Sequence, residues 1–410
     1  MPPLGEAPGV VIVGAGQAGY QTAESLRQEG YEGSITVVGE EPHVPYQRPP
    51  LSKAYLLGET DKHRLKFRAE EYYGEHAIDM RVNMAVTAID RAAKHVSLSD
   101  GTTLDYARLV LATGARVRTL PVPGGDLDGV LTLKTLDDVD HIERRLKTVE
   151  NVVVIGAGFI GLEFAAVSRK LGKNVTVLEA APRVMGRVVS ETLSSYFEQV
   201  HRDHGVRIHC NAMVSELTGN GMVEAVLCAD GTSYPADLVV VGIGVIPNVA
   251  LAESAGLPCA NGITVDEFCR TGDPDIYAAG DCAVYAHPFA DAPLRLESVQ
   301  NAADQGRTVA AAIAGNPKPY ETVPWFWSDQ FDLKLQMVGL QNGCDQMVIR
   351  GDREAHKFSL FHFRAGRLRA IDSINKAADH IQGRKLLAAG KSPTPEQAAD
   401  ESFKLNSLLK

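Results

Sequence analysis

Two copies of one glycine pattern constrain this chain more than any other feature. The first lies in VVIVGAGQAG, with Gly14, Gly16 and Gly19, and the second in VVVIGAGFIG, with Gly156, Gly158 and Gly161. Each copy follows a run of β-branched residues and opens a helix-like stretch. Each is answered by an acid at the end of the next apolar run: Glu40 in SITVVGE and Glu179 in NVTVLE, 21 and 18 residues after the third glycine. In a βαβ unit this spacing has a physical reading. The glycines allow a tight turn and close backbone approach, the helix N-terminus faces a pyrophosphate, and the carboxylate holds ribose hydroxyls. One such motif is weak evidence; two, each complete with strand, helix and acid, predict two bound dinucleotides.

The rest of the chain is organised around this duplication. Residues 1 to about 115 read as one βαβ unit ending at LVLATGA, and residues from about 120 to 245 repeat the plan, closing at ADLVVVGIGVIPN. Both carry a hairpin with an Asp-Gly turn, Asp100-Gly101 and Asp230-Gly231, the favoured sequence for a two-residue type I′ connection. LDDVDHIERRLKTVE reads as a helix preceding the second unit. After Asn248 a third stretch contains DIYAAGDCAV but no glycine fingerprint, and beyond Pro324 the composition shifts to antiparallel strands with a turn at Ala365-Gly366. Two helices are expected at the end, the first capped by Asn375 and the second started by Thr394, Pro395 and Gln397.

Composition excludes several functions. The 410 residues are 45% apolar and 22% charged, as in an ordinary globular protein, and the formal net charge of −10 disfavours whole-surface attraction to nucleic acid or anionic lipid. The N-terminus reads as lacking a cationic leader, and no apolar run nears the roughly 18 residues that span a bilayer, so a cytoplasmic protein is expected. The six cysteines include no CxxC, which speaks against a redox dithiol and the usual zinc spacings. His201 and His204, and His356 and His362, have no further ligands nearby in sequence, so no metal site is expected.

Glu179 stands where a 2′-phosphate would sit, favouring NAD(H) over NADP(H) by repulsion; Arg183, four residues on, is a surface or pyrophosphate contact or an alternative phosphate partner. In YQRPPLSKAYL two prolines stiffen a loop carrying Arg48 and Lys53.

With GEEPHVPYQRPPLSK, LATGA, GFIGLEFA, DIYAAGD and PWFWSDQ in this order, the whole chain resembles the flavoprotein NADH:ferredoxin reductases of oxygenase systems. The resemblance implies an α/β fold with two Rossmann-like dinucleotide-binding domains, as in glutathione reductase, plus a small α+β C-terminal domain. Residues 1–115 with 246–322 would form the FAD domain, 116–245 the NADH domain, and 323–410 a domain at the flavin face. It assigns Gly14, Gly16, Ala18, Gly19, Glu40, Arg48, Lys53, Val86, Ala112, Thr113, Gly114, Lys134, Asp281, Val299 and Trp327 to tightly bound FAD. Gly156, Gly158, Ile160, Gly161, Glu163, Glu179, Arg183 and Gly242 fall to exchangeable NADH. Lys53 and Glu163 match residues near flavin and nicotinamide and are expected to pair, while Trp327 packs beside the flavin ring; no acid–base catalyst is required.

The implied partner is an acidic 2Fe-2S ferredoxin that serves a cytochrome P450 or a Rieske-type oxygenase. Lys62, Arg64, Lys66 and Arg68 in KHRLKFR are expected to supply the cationic docking face on an otherwise acidic protein. Residues 41–70 contain no cysteine, so electrons are expected to leave the flavin directly for an external carrier. A rubredoxin reductase, the reductase of a nitrite-reducing system, or a signalling flavoprotein resembling apoptosis-inducing factor remain alternatives at this point.

Overall fold

The computed structural model describes residues 9–410. The apolar strand Gly9–Val13 is buried along its whole length because it has parallel neighbours on both edges, Ile35–Val38 and Thr103–Leu111. Ile78–Arg81 extends this sheet on one side. Ile276–Ala278, from far along the chain, pairs in parallel with Thr103–Leu111. The first sheet is therefore completed by residues that follow the second fingerprint unit.

That unit forms its own five-stranded parallel sheet, in the order Arg207–Cys210, Asn174–Glu179, Asn151–Ile155, Leu238–Val241 and Val130–Thr132. The chain enters and leaves it through two short antiparallel strands, Ala115–Val117 and Val245–Pro247. Asn248 fastens this double crossing. Its Nδ2 donates to the Thr113 carbonyl at 2.9 Å, and Thr113 Oγ1 donates to the Asn248 carbonyl at 2.8 Å.

The two Asp-Gly hairpins depart from the expected two-residue turn. In each, the glycine amide donates to the carbonyl three residues back (Gly101 to Leu98, Gly231 to Cys228), and the strands close one residue further on, making loops of three residues. Only the glycine is left-handed, at φ +85° and +86°. The Asp side chains account for this: Asp100 and Asp230 each accept from the amide two residues ahead, which suits a right-handed turn followed by left-handed glycine. The doubly left-handed connection occurs instead at Ala365-Gly366, with φ of 48° and 73°.

The C-terminal region is a five-stranded antiparallel sheet ordered Trp325–Gln330, Leu333–Gly339, Arg367–Ile374, Lys357–Arg364, Gln346–Asp352. Helix Ala377–Ala388 packs on it. Asn375 does not cap that helix: its Oδ1 accepts from the Lys334 amide at 2.9 Å and its Nδ2 donates to the His356 carbonyl at 3.1 Å, so it joins strands instead. Thr394 and Gln397 do form a reciprocal capping box before Pro395–Ala399, and Thr135 with Asp138 forms another at the start of Leu136–Leu146.

One hydrophobic cluster crosses all these units. It joins Tyr46, Leu51, Leu56 and Leu65 of the early loop to Val152, Phe164 and Phe197 of the second unit and to Leu335, Phe358 and Leu360 of the C-terminal sheet. Two histidines, His201 and His380, are buried in the fold. Burial pushes the imidazoles of His201 and His380 down from 6.5 to about 4. Between those pH values the unfolded chain binds protons at these sites that the folded chain does not, so stability falls as pH drops from about 6.5 to about 4. In thermal unfolding, His380→Phe is expected to flatten the pH dependence within that window and leave it unchanged above pH 7; identical slopes for both proteins would contradict the assignment.

Candidate active site

Both fingerprint helices start at the middle glycine, Gln17–Gln28 after Gly16 and Phe159–Lys170 after Gly158, with no side-chain hydrogen bond at either cap. The first-turn amides are thereby left for an anionic group. The flanking glycines are demanded by the chain itself. A Cβ on Gly14 (φ +113°) would lie 2.1 Å from the Ala112 carbonyl oxygen, and one on Gly19 would lie 1.9 Å from the Gly14 oxygen. Gly156 and Gly161 repeat this against the Gly242 oxygen at 2.4 Å and the Gly156 oxygen at 2.1 Å. In contrast, a Cβ on Gly16 or Gly158 meets no described residue within 4 Å, and both have ordinary φ values of −81° and −78°. No contact with a described residue explains these two glycines, so their bareness fits a pyrophosphate lying against each turn. Ile160, at 48% exposure, stands beside the second turn, and Ala18, at 6%, packs beneath the first.

The two acids are not equivalent. The Gly14 amide donates to Val38 and the Gly156 amide to Leu178, so the residue matching Glu179 is Gly39, and Glu40 lies one position further. Glu40 is exposed and has no hydrogen bond to another described residue. The first helix-to-strand connection is the longer of the two, and a Cβ at position 39 would lie 2.6 Å from that of Ala15. Glu179 is fixed over its turn, with Oε2 accepting from the Ala157 amide at 2.7 Å and Oε1 from the Ala181 amide at 2.8 Å. Arg183 donates to the carbonyls of Val189 and Gly186 at 2.9 and 2.7 Å and so shapes the 183–189 loop.

On the other side, Arg48 is held by the carboxylate of Glu41, by Tyr46 Oη at 3.1 Å and by the Lys134 carbonyl at 2.9 Å. Tyr46 in turn donates to Glu41 at 2.6 Å. Glu41 and Tyr46 were not singled out from sequence, although both lie in the segment that carries Arg48. Lys134 Nζ and the Asp281 carboxylate, by contrast, have no hydrogen bond to any described residue. Burial, reinforced by Glu297, pushes the Asp281 carboxyl up to about 6, against the pull of Lys134, Arg295 and Arg48. Burial also lowers Lys134. Two half-buried groups of opposite charge without protein partners suit a polar ligand such as the ribityl and phosphate portions of FAD. Ala112, Thr113 and Gly114 form the crossing beside Gly14. Val86 packs against the cluster containing Val38, and Val299 is the first residue of a helix capped by Ser298, where its amide has no intrahelical acceptor.

Lys53 and Glu163 meet directly. Lys53 Nζ donates to Glu163 Oε2 at 2.5 Å, Ser52 Oγ to the same oxygen at 2.7 Å, and Ser328 Oγ to Oε1 at 2.7 Å. Glu163 is only 4% exposed. Each serine was missed, though both sit beside a residue that sequence analysis selected. Trp327 precedes Ser328 and therefore points to the opposite face of its strand, with its ring 5.5 Å from that of Trp325.

Each cation of residues 62–68 has a carboxylate partner. Lys62 pairs with Asp140, Arg68 with Glu24 at 2.5 Å, Lys66 with Glu70 at 2.7 Å and Arg64 with Asp61 at 3.9 Å. Four carboxylates offset the four cations, two of them from distant parts of the chain. Arg64 has the longest contact and is 74% exposed. The histidines are engaged in packing and polar contacts: His201 Nε2 meets Gln330, His204 stacks on Phe331, His356 meets Tyr196, and His362 meets Asp372.

The distinction between the glycines can be tested. Gly158→Ala is expected to leave thermal stability within about 0.5 kcal/mol and to weaken NADH binding, measured by titration, roughly tenfold. Gly161→Ala is expected to destabilise by about 1–3 kcal/mol through overpacking. Equal stability loss in both variants would contradict an external group at Gly158.

Comparison with known proteins agrees with this geometry. Residues 8–306 match the family model described as pyridine nucleotide-disulphide oxidoreductase, and residues 325–409 match a reductase C-terminal domain. The chain is 48% identical to rhodocoxin reductase of Rhodococcus erythropolis over 97% of its own length and 93% of that protein. The crystal structure of the ferredoxin reductase for the CYP199A2 system from Rhodopseudomonas palustris superimposes with a TM-score of 0.96 at 51% identity, covering 98% of this chain and 99% of that one. The reductase of the covalent putidaredoxin reductase–putidaredoxin complex does so with a TM-score of 0.95 at 42% identity, covering 98% of each chain. With a family model covering well over half of its length and the whole of its fold shared with these reductases, the chain belongs to the pyridine nucleotide-disulphide oxidoreductase family.

Proposed function

We propose that this protein is an FAD-dependent NADH:ferredoxin reductase that supplies electrons to an oxygenase system, either a cytochrome P450 or a ring-hydroxylating dioxygenase. The observation that carries the reading is the buried Lys53–Glu163 pair. It joins the loop beyond the first fingerprint to the helix of the second at 2.5 Å, at the junction where two dinucleotides would meet. When bound, FAD accepts two electrons as hydride from NADH and releases them singly to a one-electron carrier.

The residues of this chain bind and orient. Gly16 and the amides after it cradle one pyrophosphate, while Arg48, Lys134, Asp281 and the amide of Val299 surround the remainder of FAD. Gly158, Ile160, Gly242 and Glu179 hold NADH, Glu163 and Lys53 align the nicotinamide with the flavin, and Trp327 shields the ring. Residues 1–115 with 246–322, 116–245 and 323–410 serve as FAD, NADH and C-terminal domains. All six cysteines are free, and none lies in residues 41–70, so no thiol relay is required between flavin and carrier. Free thiols throughout also suit a reducing cytoplasm; among the described residues no helix is long and apolar enough to cross a membrane.

The reading is tested by mixing the FAD-loaded protein with NADH, then with a 2Fe-2S ferredoxin or a rubredoxin. Rapid reduction of the ferredoxin is expected, with NADH preferred over NADPH, and faster turnover with rubredoxin would move the assignment to a rubredoxin reductase. Glu179→Ala is expected to narrow the NADH preference roughly ten- to hundredfold, through loss of hydrogen bonds to the ribose and relief of charge repulsion.

Arg64, the least constrained of the four cations, is the position at which docking is expected to be sensitive. Arg64→Glu should raise KM for ferredoxin several-fold and leave ferricyanide reduction unchanged. The same change with both acceptors would exclude a docking role.

A further inference from the structure

We propose that Ser328, Gln330 and His201 form a positioning chain for Glu163, so that packing of the C-terminal strand on the second fingerprint unit sets the orientation of the Lys53–Glu163 pair. The inference rests on the reading of that pair as the residues that align nicotinamide with flavin.

The chain has a defined direction, fixed by its end. An ionised carboxylate can only accept, so Ser328 Oγ must donate to Glu163 Oε1 across their 2.7 Å contact. A hydroxyl has one proton. The second contact of Ser328, 3.1 Å from Gln330 Nε2, must therefore be accepted from the Gln330 amide. This turns Gln330 Oε1 toward His201 Nε2 at 2.8 Å, and that nitrogen must then carry the proton. Each link thus constrains the next, from a histidine with no exposed surface to a carboxylate that is 4% exposed. The opposite end agrees. His201 Nδ1 is buried without a partner, as in a neutral imidazole protonated on Nε2, and burial lowers this histidine to about 4.

The members come from separate parts of the fold. His201 is on helix Glu191–Asp203, Gln330 and Ser328 are on strand Trp325–Gln330, Glu163 is on helix Phe159–Lys170, and Lys53 and Ser52 are on the short helical turn Leu51–Tyr55. Ser328 and Gln330 are two apart and share a face of the strand with Phe326, whose ring lies 4.7 Å from that of Phe159 at the fingerprint turn. That face is seated on the second unit by one aromatic contact and two polar ones. Without the Ser328 donor, Oε1 loses its hydrogen bond, and the carboxylate is free to rotate about the contacts of Oε2 with Ser52 and Lys53.

The test uses the FAD-loaded protein and a double-mutant cycle. Ser328→Ala is expected to lower the limiting rate of flavin reduction by NADH about tenfold while changing the dissociation constant for NADH less than about twofold. In a Glu163→Gln background the same substitution is expected to have no further effect. A second readout does not depend on turnover: by 15N NMR at pH 7, His201 is expected to be the neutral Nε2–H tautomer, and Glu163→Gln is expected to shift its ring nitrogens. If Ser328→Ala yields no folded holoenzyme, Gln330→Met cuts the chain one link further out and is expected to give the same pattern. An equal effect of the serine or glutamine substitution in both backgrounds, or His201 signals unmoved by Glu163→Gln, overturns the proposal and leaves these residues a structural role alone.

Discussion

The carboxylate of Glu163 is the point on which the arrangement of the fingerprint units depends. A buried charge is tolerated only when its hydrogen-bonding capacity is met, and breaking a buried pair from one side costs about 3–5 kcal/mol. Here the donors come from two other regions: Lys53 and Ser52 from the loop beyond the first fingerprint, Ser328 from the C-terminal strand. Any displacement of either region leaves the charge under-satisfied. The apolar cluster around it follows the same logic, since Leu51 and Leu56 pack with Phe164 and Leu335 instead of only with their own sheet. One acid and the core beneath it thus fix the distance between two sites that would otherwise be free to move as separate domains.

The two sites differ in what they lack. Glu179 is already hydrogen-bonded by two backbone amides, so a ribose adds to a satisfied acid and its departure leaves nothing exposed in an unfavourable state. Asp281 and Lys134 have no such partners, and burial displaces both from their ordinary ionisation. A ligand that meets them relieves a cost already present in the protein, which strengthens retention. An exchangeable dinucleotide and a retained one follow from the same duplicated unit through the satisfaction of a few polar groups.

What was legible in the sequence was local. The glycines reported their turns because tight-turn geometry depends on neighbours within a few residues, and Thr394 reported its helix start for the same reason. Glu40 stands one residue beyond the register position of Glu179, an offset that counting from the glycines does not reveal. The Asp-Gly hairpins kept their glycines left-handed, but the Asp side chain selected a longer loop. Asn375 was drawn into strand contacts by Lys334 and His356, which no helix-start pattern includes. The ion pairing of the cationic stretch was out of reach of the sequence for a related reason: Glu24 and Asp140, which offset Arg68 and Lys62, lie far away in the chain. The Lys53–Glu163 contact was foreseen only through family resemblance, and Ser52, Ser328 and Asn248 act through tertiary partners that no local pattern reveals.

Strand Trp325–Gln330 shows why such a site needs its C-terminal domain. Successive side chains point to opposite faces, so Phe326, Ser328 and Gln330 address the second fingerprint unit while Trp325 and Trp327 form an aromatic surface on the other side. The strand is therefore a partition with a polar chain behind one face and indole rings on the other. Its register is fixed by pairing of Trp327 with Gln336 and Ser328 with Leu335, and that neighbouring strand is held in turn by Arg367–Ile374. A slip of one residue would exchange the two faces, placing an indole against the Glu163 carboxylate and a hydroxyl among the aromatic rings. Both the carboxylate and the aromatic surface thus depend on the sheet that holds this strand in register, with Trp325 packed against the cluster that includes Val338, Phe361 and Ile371 of its other strands, which is sufficient physical reason for the added domain.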